Sequence, residues 1–441
     1  MKILIISQYY YPEQFQIYEI ISEFFYKADS SFMRILIVTQ YIYPEPFKSS
    51  ELAFELANRG HKVDVLTGIP NYPEGHYYEG YGLFSRRKEH KDGVTFYRCL
   101  QTPRKLLPGA TGMMLNYFTF MVNATLWVLL YFVWKKKYDA IITHEPSPIT
   151  QIVPACILGD LRHVPVYSWI QDIWPDALVS AGGVVGKVLS PVLGKITDWV
   201  YRHSAKLLIT SKGMAPLINR NADYSDKIIY YPQWSEDMMC RVEDIPNDFP
   251  NVRNDAAYNI MMAGSLNSGI GVQGVLALCE EMKDDPVHFI FVGGGSEEAH
   301  MREIVKDKDL KNVTFTGRKP FSQMPFYTQQ ADAMLLTLKE TTMKHLDIVI
   351  PARLQSYMSG GKPVLAMIGS GASEIINDAD CGYVVPAGDF KALAEIIRAK
   401  VLTNKDVFAK KGVNGRLYFE KYFTKEKCID NLCEIIENIE N

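Results

Sequence analysis

The chain has few cysteines, and none of its seven forms a Cys-x-x-Cys pair: they are scattered at Cys99, Cys156, Cys240, Cys279, Cys381, Cys428 and Cys433. This spacing gives no support to a zinc or redox motif and fits a reducing compartment. No cluster of His and Cys ligands stands out, so no metal is expected. A long Lys/Arg stripe with interleaved aromatics is also missing, which argues against nucleic acid as a partner. The opening Met-Lys-Ile-Leu-Ile-Ile run is too short for a secretory core and lacks a small-residue cleavage site.

What is present describes an ordinary globular chain. At 441 residues, 47% hydrophobic and 22% charged, it is long enough for more than one domain with its own core. Charge is shared unevenly. Lys and Arg outnumber Asp and Glu by 24 to 20 over residues 1–235, a net of +4, and are outnumbered 23 to 30 over 236–441, a net of −7. A basic first half suits a protein that meets an anionic surface there.

The chain opens with a repeat. Residues 1–15 align without gaps on residues 33–47, with ten of fifteen positions identical. A period seen only twice is not a solenoid. Residues 1–32 therefore read as a partial duplication of the first strand–loop–helix unit, and the second copy is expected to hold the native first-strand position. From Met33 onward strand and helix patterns alternate, which predicts a parallel, doubly wound α/β sheet. Strands are expected at 34–39, 62–67, 138–143, 164–170, 259–263, 288–292, 312–316, 334–338 and 364–368. Helices are expected at 49–58, from Val272, at 389–402 and at 425–439. Charge, Pro and Asn mark 241–256 as a linker between two such domains.

Residues 113–134 run 22 positions without a charge and end at Lys135, Lys136 and Lys137. The length allows a membrane span. Asn116, Thr119, Asn123 and Thr125 interrupt the run, however, and a strand of the same sheet resumes at Tyr138. The other readings are a buried helix and an interfacial helix with a lysine collar.

Several strand exits carry residues suited to ligand contact, because open α/β sheets bind at their carboxyl edge. Two Tyr-Pro loops contain Tyr41, Pro44 and Glu45 in one, Asn71 and Tyr72 in the other. His144 follows a strand, and Gln171-Asp172-Ile173-Trp174-Pro175-Asp176 follows another; an Asp and a Trp held by a proline suit polar contact and sugar stacking. In the second half a Gly-rich turn from Gly264 through Asn267 to Gly271 precedes a helix, and Gly293-Gly294-Gly295 and Gly317-Arg318-Lys319-Pro320 end two strands. Such turns let backbone approach a diphosphate.

The organising stretch is 348–374. Pro351 suits the first turn of a helix, Leu354, Tyr357 and Met358 form its apolar stripe, and Gly360, Gly361 and Pro363 stop it. Its N-terminus, with Ala352, Gln355 and Ser356, is expected at the sheet edge as an anion site. Arg353 lies in the first turn, where the helix dipole disfavours a cation, and an anionic ligand nearby accounts for it.

These motifs, and specifically Pro70-Asn71-Tyr72-Pro73, Gln171-Asp172-Ile173-Trp174-Pro175, Pro232-Gln233-Trp234, Gly317-Arg318-Lys319-Pro320 and Gln355-Ser356-Tyr357-Met358, resemble retaining GT-B glycosyltransferases of family 4. The resemblance is closest to the bacterial surface-polysaccharide branch that includes N-acetyl-L-fucosamine transferases, and covers the chain from Met33. It implies two Rossmann-like domains facing across a cleft: 33–240 for the acceptor, 257–415 for the nucleotide sugar, and 416–441 packing back on the first. It implies transfer of a sugar, an N-acetylated deoxyhexose, from a uridine diphosphate donor to a polyprenyl-diphosphate-linked saccharide at the inner leaflet of the cytoplasmic membrane. No cofactor is implied, the UDP-sugar being a substrate. Asp172, Gln171 and Arg353 then fall at the reacting centre. Gly264, Asn267, Gly271, Gly293, Gly294, Gly295, Arg318, Lys319, Ala352, Gln355 and Ser356 fall on the donor. Tyr41, Pro44, Glu45, Asn71, Tyr72, His144, Trp174 and Asp176 fall on the acceptor. The leaving phosphate takes the acceptor's proton in the mechanism usual for such enzymes, so the protein mainly positions and stabilises charge. The sequence departs from the family at Ile348 and Ser356, where paired Glu residues are usual, at Ser370, where this branch has Glu, and at Gln171, where the family has His. A sugar-nucleotide-binding scaffold and a nucleotide-sugar epimerase are the other readings.

Overall fold

A computed structural model describes residues 32–438. The duplicated opening segment lies outside the described residues, as does the expected end of the last helix at 439. By internal contacts the chain divides into two units: one reaches Trp169 and includes Val184–Leu207, the other takes Ile170–Gly183 and the chain from Leu208.

The first sheet holds β1 (Arg34–Val38), β2 (Lys62–Gly68), β3 (Lys88–Lys91), β4 (Val94–Cys99), β5 (Ala140–Glu145), β6 (Val166–Ile170), β7 (Lys206–Ile209) and β8 (Ile228–Tyr230). Its order is β3-β4-β2-β1-β5-β6-β7-β8. Strands β4, β2, β1 and β5 run parallel, and β1 is buried along almost its whole length, which is why it reads as an apolar run and not as alternation. The edge strand β3 pairs antiparallel with β4 through Asp92-Gly93, both at positive φ, the two-residue turn that matches strand twist. Sequence reading missed this hairpin because Lys-Glu-His-Lys carries no apolar signal.

Helices α1 (Lys48–Asn58), α2 (Gly109–Leu130), α3 (Val153–Arg162) and α4 (Asp176–His203) connect these strands. Helix α2 is the uncharged run. It is long and apolar enough to cross a membrane, yet one stripe, Asn116, Phe120, Ala124 and Val128 at four-residue spacing, is fully buried. The opposite stripe, Phe118, Val122, Leu126 and Leu130, is exposed, as is Trp134 at 81%. The expected lysine collar is incomplete. Lys135 turns inward, donating to Asp64 Oδ2 at 2.9 Å and to the Tyr97 hydroxyl at 2.8 Å, which leaves Lys136 and Lys137 exposed. An ammonium beside a buried carboxylate gains more from pairing than from water at that depth.

The second sheet contains β9 (Tyr258–Ala263), β10 (Val287–Val292), β11 (Val313–Gly317), β12 (Ala333–Thr337), β13 (Val364–Met367) and β14 (Gly382–Val385), ordered β11-β10-β9-β12-β13-β14 with every pair parallel. Around it lie α5 (Val272–Glu281), α6 (Glu298–Asp307), α7 (Arg353–Ser359), α8 (Ser370–Asp378), α9 (Phe390–Ile396), α10 (Lys405–Tyr422) and α11 (Lys425–Glu437). The expected helix 389–402 is α9 followed by a π turn at Ile397–Val401. Chain order reverses between β9 and β12, and that switch point is where an open sheet binds ligands. Part of the 241–256 segment is tied to this unit, Arg253 reaching Asp332 at 3.1 Å and the Gln330 carbonyl at 2.7 Å.

Candidate active site

At the carboxyl edge of the second sheet two glycine turns lie back to back. A Cβ on Gly293 would stand 1.8 Å from the Gly264 carbonyl oxygen, and one on Gly295 would stand 2.2 Å from that of Leu266. Leu266 N donates to the Gly294 carbonyl at 3.1 Å, fixing their register. Asn267 Oδ1 accepts from Gly269 N at 2.9 Å, and Gly271, at φ 68°, releases the chain into α5. Arg318 is exposed, its Cβ 3.3 Å from where a Gly294 Cβ would lie; Lys319 is half-buried.

Arg353 closes this group. Its Nη2 donates to the Ser265 carbonyl at 3.2 Å, and its Cζ lies 3.7 Å from the Gly264 Cβ position. Nη1 is buried and has no hydrogen-bond partner among the described residues. A guanidinium nitrogen kept from water without an acceptor is costly, and an anionic oxygen supplied by a ligand would satisfy it. Tyr357 holds α7 in place: its hydroxyl donates to the Ala263 carbonyl at 2.9 Å and accepts from Ala263 N at 3.0 Å. The helix begins two residues after Pro351, at Arg353, with Ala352 exposed at its entry. Gln355 is buried, its amide nitrogen within 3.1 Å of the Ala352 carbonyl in its satisfied orientation, so it serves the helix start. Ser356 Oγ pairs with Ser235 Oγ at 2.8 Å. Gly264, Asn267, Gly271, Gly293, Gly294, Gly295 and Arg353 thus gather in one place.

The loops of the first unit are knitted to each other. Glu45 is buried and its Oε1 accepts from the backbone nitrogens of Asn71 and Tyr72, both at 2.7 Å. Burial pushes its carboxyl up to about 7, with those N–H donors pulling the other way. Tyr41 is buried, its hydroxyl donating to Asn116 Oδ1 at 2.7 Å and its ring stacked on Phe47. Asn116 also accepts from Gln40 Nε2 at 2.8 Å, and Gln40 Nε2 reaches Gln101 Oε1 at 2.9 Å. His144 is buried against Trp169, and burial holds its imidazole down at about 3, so it is neutral. Pro44 and Tyr72 remain partly open, with the Arg104 guanidinium 5.2 Å above the Tyr72 ring. Gln40, Gln101, Asn116 and Arg104 escaped sequence reading; the polar interruption of the apolar run by Asn116 was the one clue.

The exit of β6 is set within the second unit. Gln171 Oε1 accepts from Gln233 Nε2. Burial raises the Asp172 carboxyl to about 6. Trp174 is buried, its Nε1 lacking a partner among the described residues. Asp176 starts α4 and takes both terminal nitrogens of Arg220, at 3.3 and 2.6 Å. Among the described residues no three His, Cys, Asp or Glu side chains are grouped to hold a metal ion.

The two parallel-sheet units and their glycine turns define a class. Residues 49–232 match a glycosyl transferase 4-like domain and residues 244–416 match the glycosyl transferases group 1 family. The chain is therefore built of glycosyltransferase domains. Escherichia coli K12 WcaI, named for colanic acid biosynthesis, is 24% identical over 71% of this chain and 77% of its own length. The Escherichia coli O-antigen chain mannosyltransferase C is 24% identical over 67% of this chain and 74% of its own length. In fold, the chain is similar to Anabaena Alr3699/HepE, solved in complex with UDP: TM-score 0.65, 14% identity, 92% of this chain and 100% of that one. The architecture is that of GT-B glycosyltransferases.

Proposed function

We propose that this glycosyltransferase of surface polysaccharide biosynthesis is a retaining, metal-independent enzyme that takes its sugar, an N-acetylated deoxyhexose, from a UDP donor. The acceptor in this reading is a polyprenyl-diphosphate-linked saccharide. The observation that carries it is Arg353 Nη1, buried and without a partner among the described residues, beside glycine turns whose backbones can approach a diphosphate. Arg318 and Lys319 would add positive charge at the same edge. Gln171 is not a base, and Asp172 is half-buried; both are read as positioning groups around a reaction in which the departing phosphate accepts the proton. Pro44, Tyr72 and Asp176 are read as acceptor contacts, and Tyr41, Glu45, Asn71 and His144 as the buried frame that shapes them.

A lipid-linked acceptor calls for contact with a membrane surface. The exposed apolar stripe of α2, with Trp134 and two exposed lysines at its end, suits an interfacial helix at an anionic leaflet.

The test is thermal unfolding with and without UDP and ADP. A ligand at a hundredfold excess over its dissociation constant adds about 2.7 kcal/mol of stability. Stabilisation by UDP, lost in Arg353→Ala, supports the reading. No stabilisation by any nucleotide sinks it and leaves the scaffold reading without a ligand as well.

A further inference from the structure

Between β2 and β3 the chain makes a tight turn out of residues that turns rarely use. Gly82 N donates to the Ser85 carbonyl and Ser85 N to the Gly82 carbonyl, both at 3.4 Å, so Leu83 and Phe84 form a two-residue tip. Such tips favour glycine, asparagine, aspartate and serine, which suit the turn backbone and water. Here both residues are large and apolar. Phe84 is 97% exposed, and Leu83 is exposed beside it. A single exposed apolar side chain is ordinary, but a pair where local chemistry favours polar residues breaks the rule that each level of a sequence agrees with the next.

The tip is tied to α2. Arg87 Nη1 donates to the Leu83 carbonyl at 2.8 Å, and the same guanidinium lies 5.9 Å from the centre of the Trp127 ring. Trp127, Tyr131 and Tyr97 pack on one another, with ring centres 5.8 Å apart for the first two and 6.2 and 5.6 Å from each to Tyr97. The exposed apolar stripe of α2 therefore continues through these rings to the turn. Charge follows the same line. Arg86 and Lys88 are exposed next to the tip, whereas Glu89, the acidic residue of 80–90, is turned to Arg98 at 2.9 Å. Amphipathic rings, an apolar tip and outward cations are the make-up of a surface that meets an anionic bilayer.

We propose that the Leu83-Phe84 tip is a second anchor in an anionic lipid surface, entering it beside α2. A helix lying alone in an interface can roll about its own axis. A point of insertion off that axis stops the roll and sets the angle at which the first sheet stands on the bilayer. The inference rests on the interfacial reading of α2 above.

The two are told apart by flotation of the full chain with vesicles of phosphatidylglycerol and phosphatidylethanolamine. In Leu83→Ser with Phe84→Ser, affinity should fall about tenfold, the effect of withholding a phenyl ring from the lipid. The melting temperature should stay unchanged, because both side chains face solvent. Phe84→Trp should keep the wild-type affinity, since tryptophan suits the interface. Val413→Ser with Leu417→Ser, similarly exposed apolar residues of the second unit, should leave binding as it is. A loss as large in that control overturns the proposal, as does an equal loss in Phe84→Trp. Binding kept in Leu83→Ser with Phe84→Ser but lost in Phe118→Asp with Leu126→Asp overturns it while sparing the helix, and leaves the tip to a protein partner. Wild-type protein that binds no vesicles overturns both.

Discussion

Glu45 Oε1 lies 2.7 Å from the backbone nitrogen of Asn71, so one buried carboxylate ties together two Tyr-Pro loops 26 residues apart. Its folded-state carboxyl is raised from 4.5 to about 7 by burial. A raised acid favours folding where it is protonated, so its contribution is fully present below about pH 4.5 and is lost as pH rises through about 7. Urea unfolding between pH 4.5 and 8 should show a decline that Glu45→Gln flattens, the difference being on the order of 3 kcal/mol at most. An identical pH profile in the variant would show that the carboxylate is ionised at no cost.

Asn116 is the second fastening. From the buried stripe of α2 it accepts from Gln40 and Tyr41 and donates to the Thr102 carbonyl at 2.5 Å. Replacing it by alanine leaves several buried groups without partners and should cost about 2–4 kcal/mol of stability. Asn123→Ala removes only a bond to its own helix, at Thr119, and should stay within about 0.5 kcal/mol. Equal effects would deny the network any special weight.

Gly293 offers a steric test. Alanine there would collide with the Gly264 carbonyl and strain a backbone at φ 155°. The glycine turns should separate, lowering stability by about 2–4 kcal/mol and abolishing stabilisation by UDP. Gly82→Ala, in open space, is the neutral comparison.

The exposed stripe of α2 predicts binding to vesicles of anionic lipid in flotation assays. Phe118→Asp with Leu126→Asp should reduce it at least tenfold without lowering the melting temperature, because both side chains face solvent. Removing Lys136 and Lys137 should weaken it by about 2 kcal/mol and blunt its salt dependence. Vesicle binding unaffected by either change would move the contact elsewhere.

Most of the strand framework was legible because buried parallel strands are written as short apolar runs: 34–39 and 364–368 were expected, and Arg34–Val38 and Val364–Met367 are found. Helix α4, with Pro191 inside it, was not, since a proline and paired glycines imitate a break. The glycine turns and Arg353 could be picked out because each is a local feature of the chain. The frame behind Tyr41, Glu45 and Asn71 could not, since Gln101 and Asn116, which fasten it, lie tens of residues away. Their amides carry no periodic mark. Glu45, Asn71 and Tyr72, each a candidate for ligand contact, also contact each other.

The back-to-back glycine turns have a consequence for how such a site changes over generations. Their spacing is a property of the main chain alone, so any lineage that keeps Gly264, Gly293 and Gly295 inherits the same mould whatever it does nearby. Arg318 borders that mould through its Cβ, with its exposed side chain beyond it. Randomising Arg318 should yield variants that fold as before yet differ in the ligands they prefer, a separation of scaffold from taste that makes the edge of this sheet easy to repurpose.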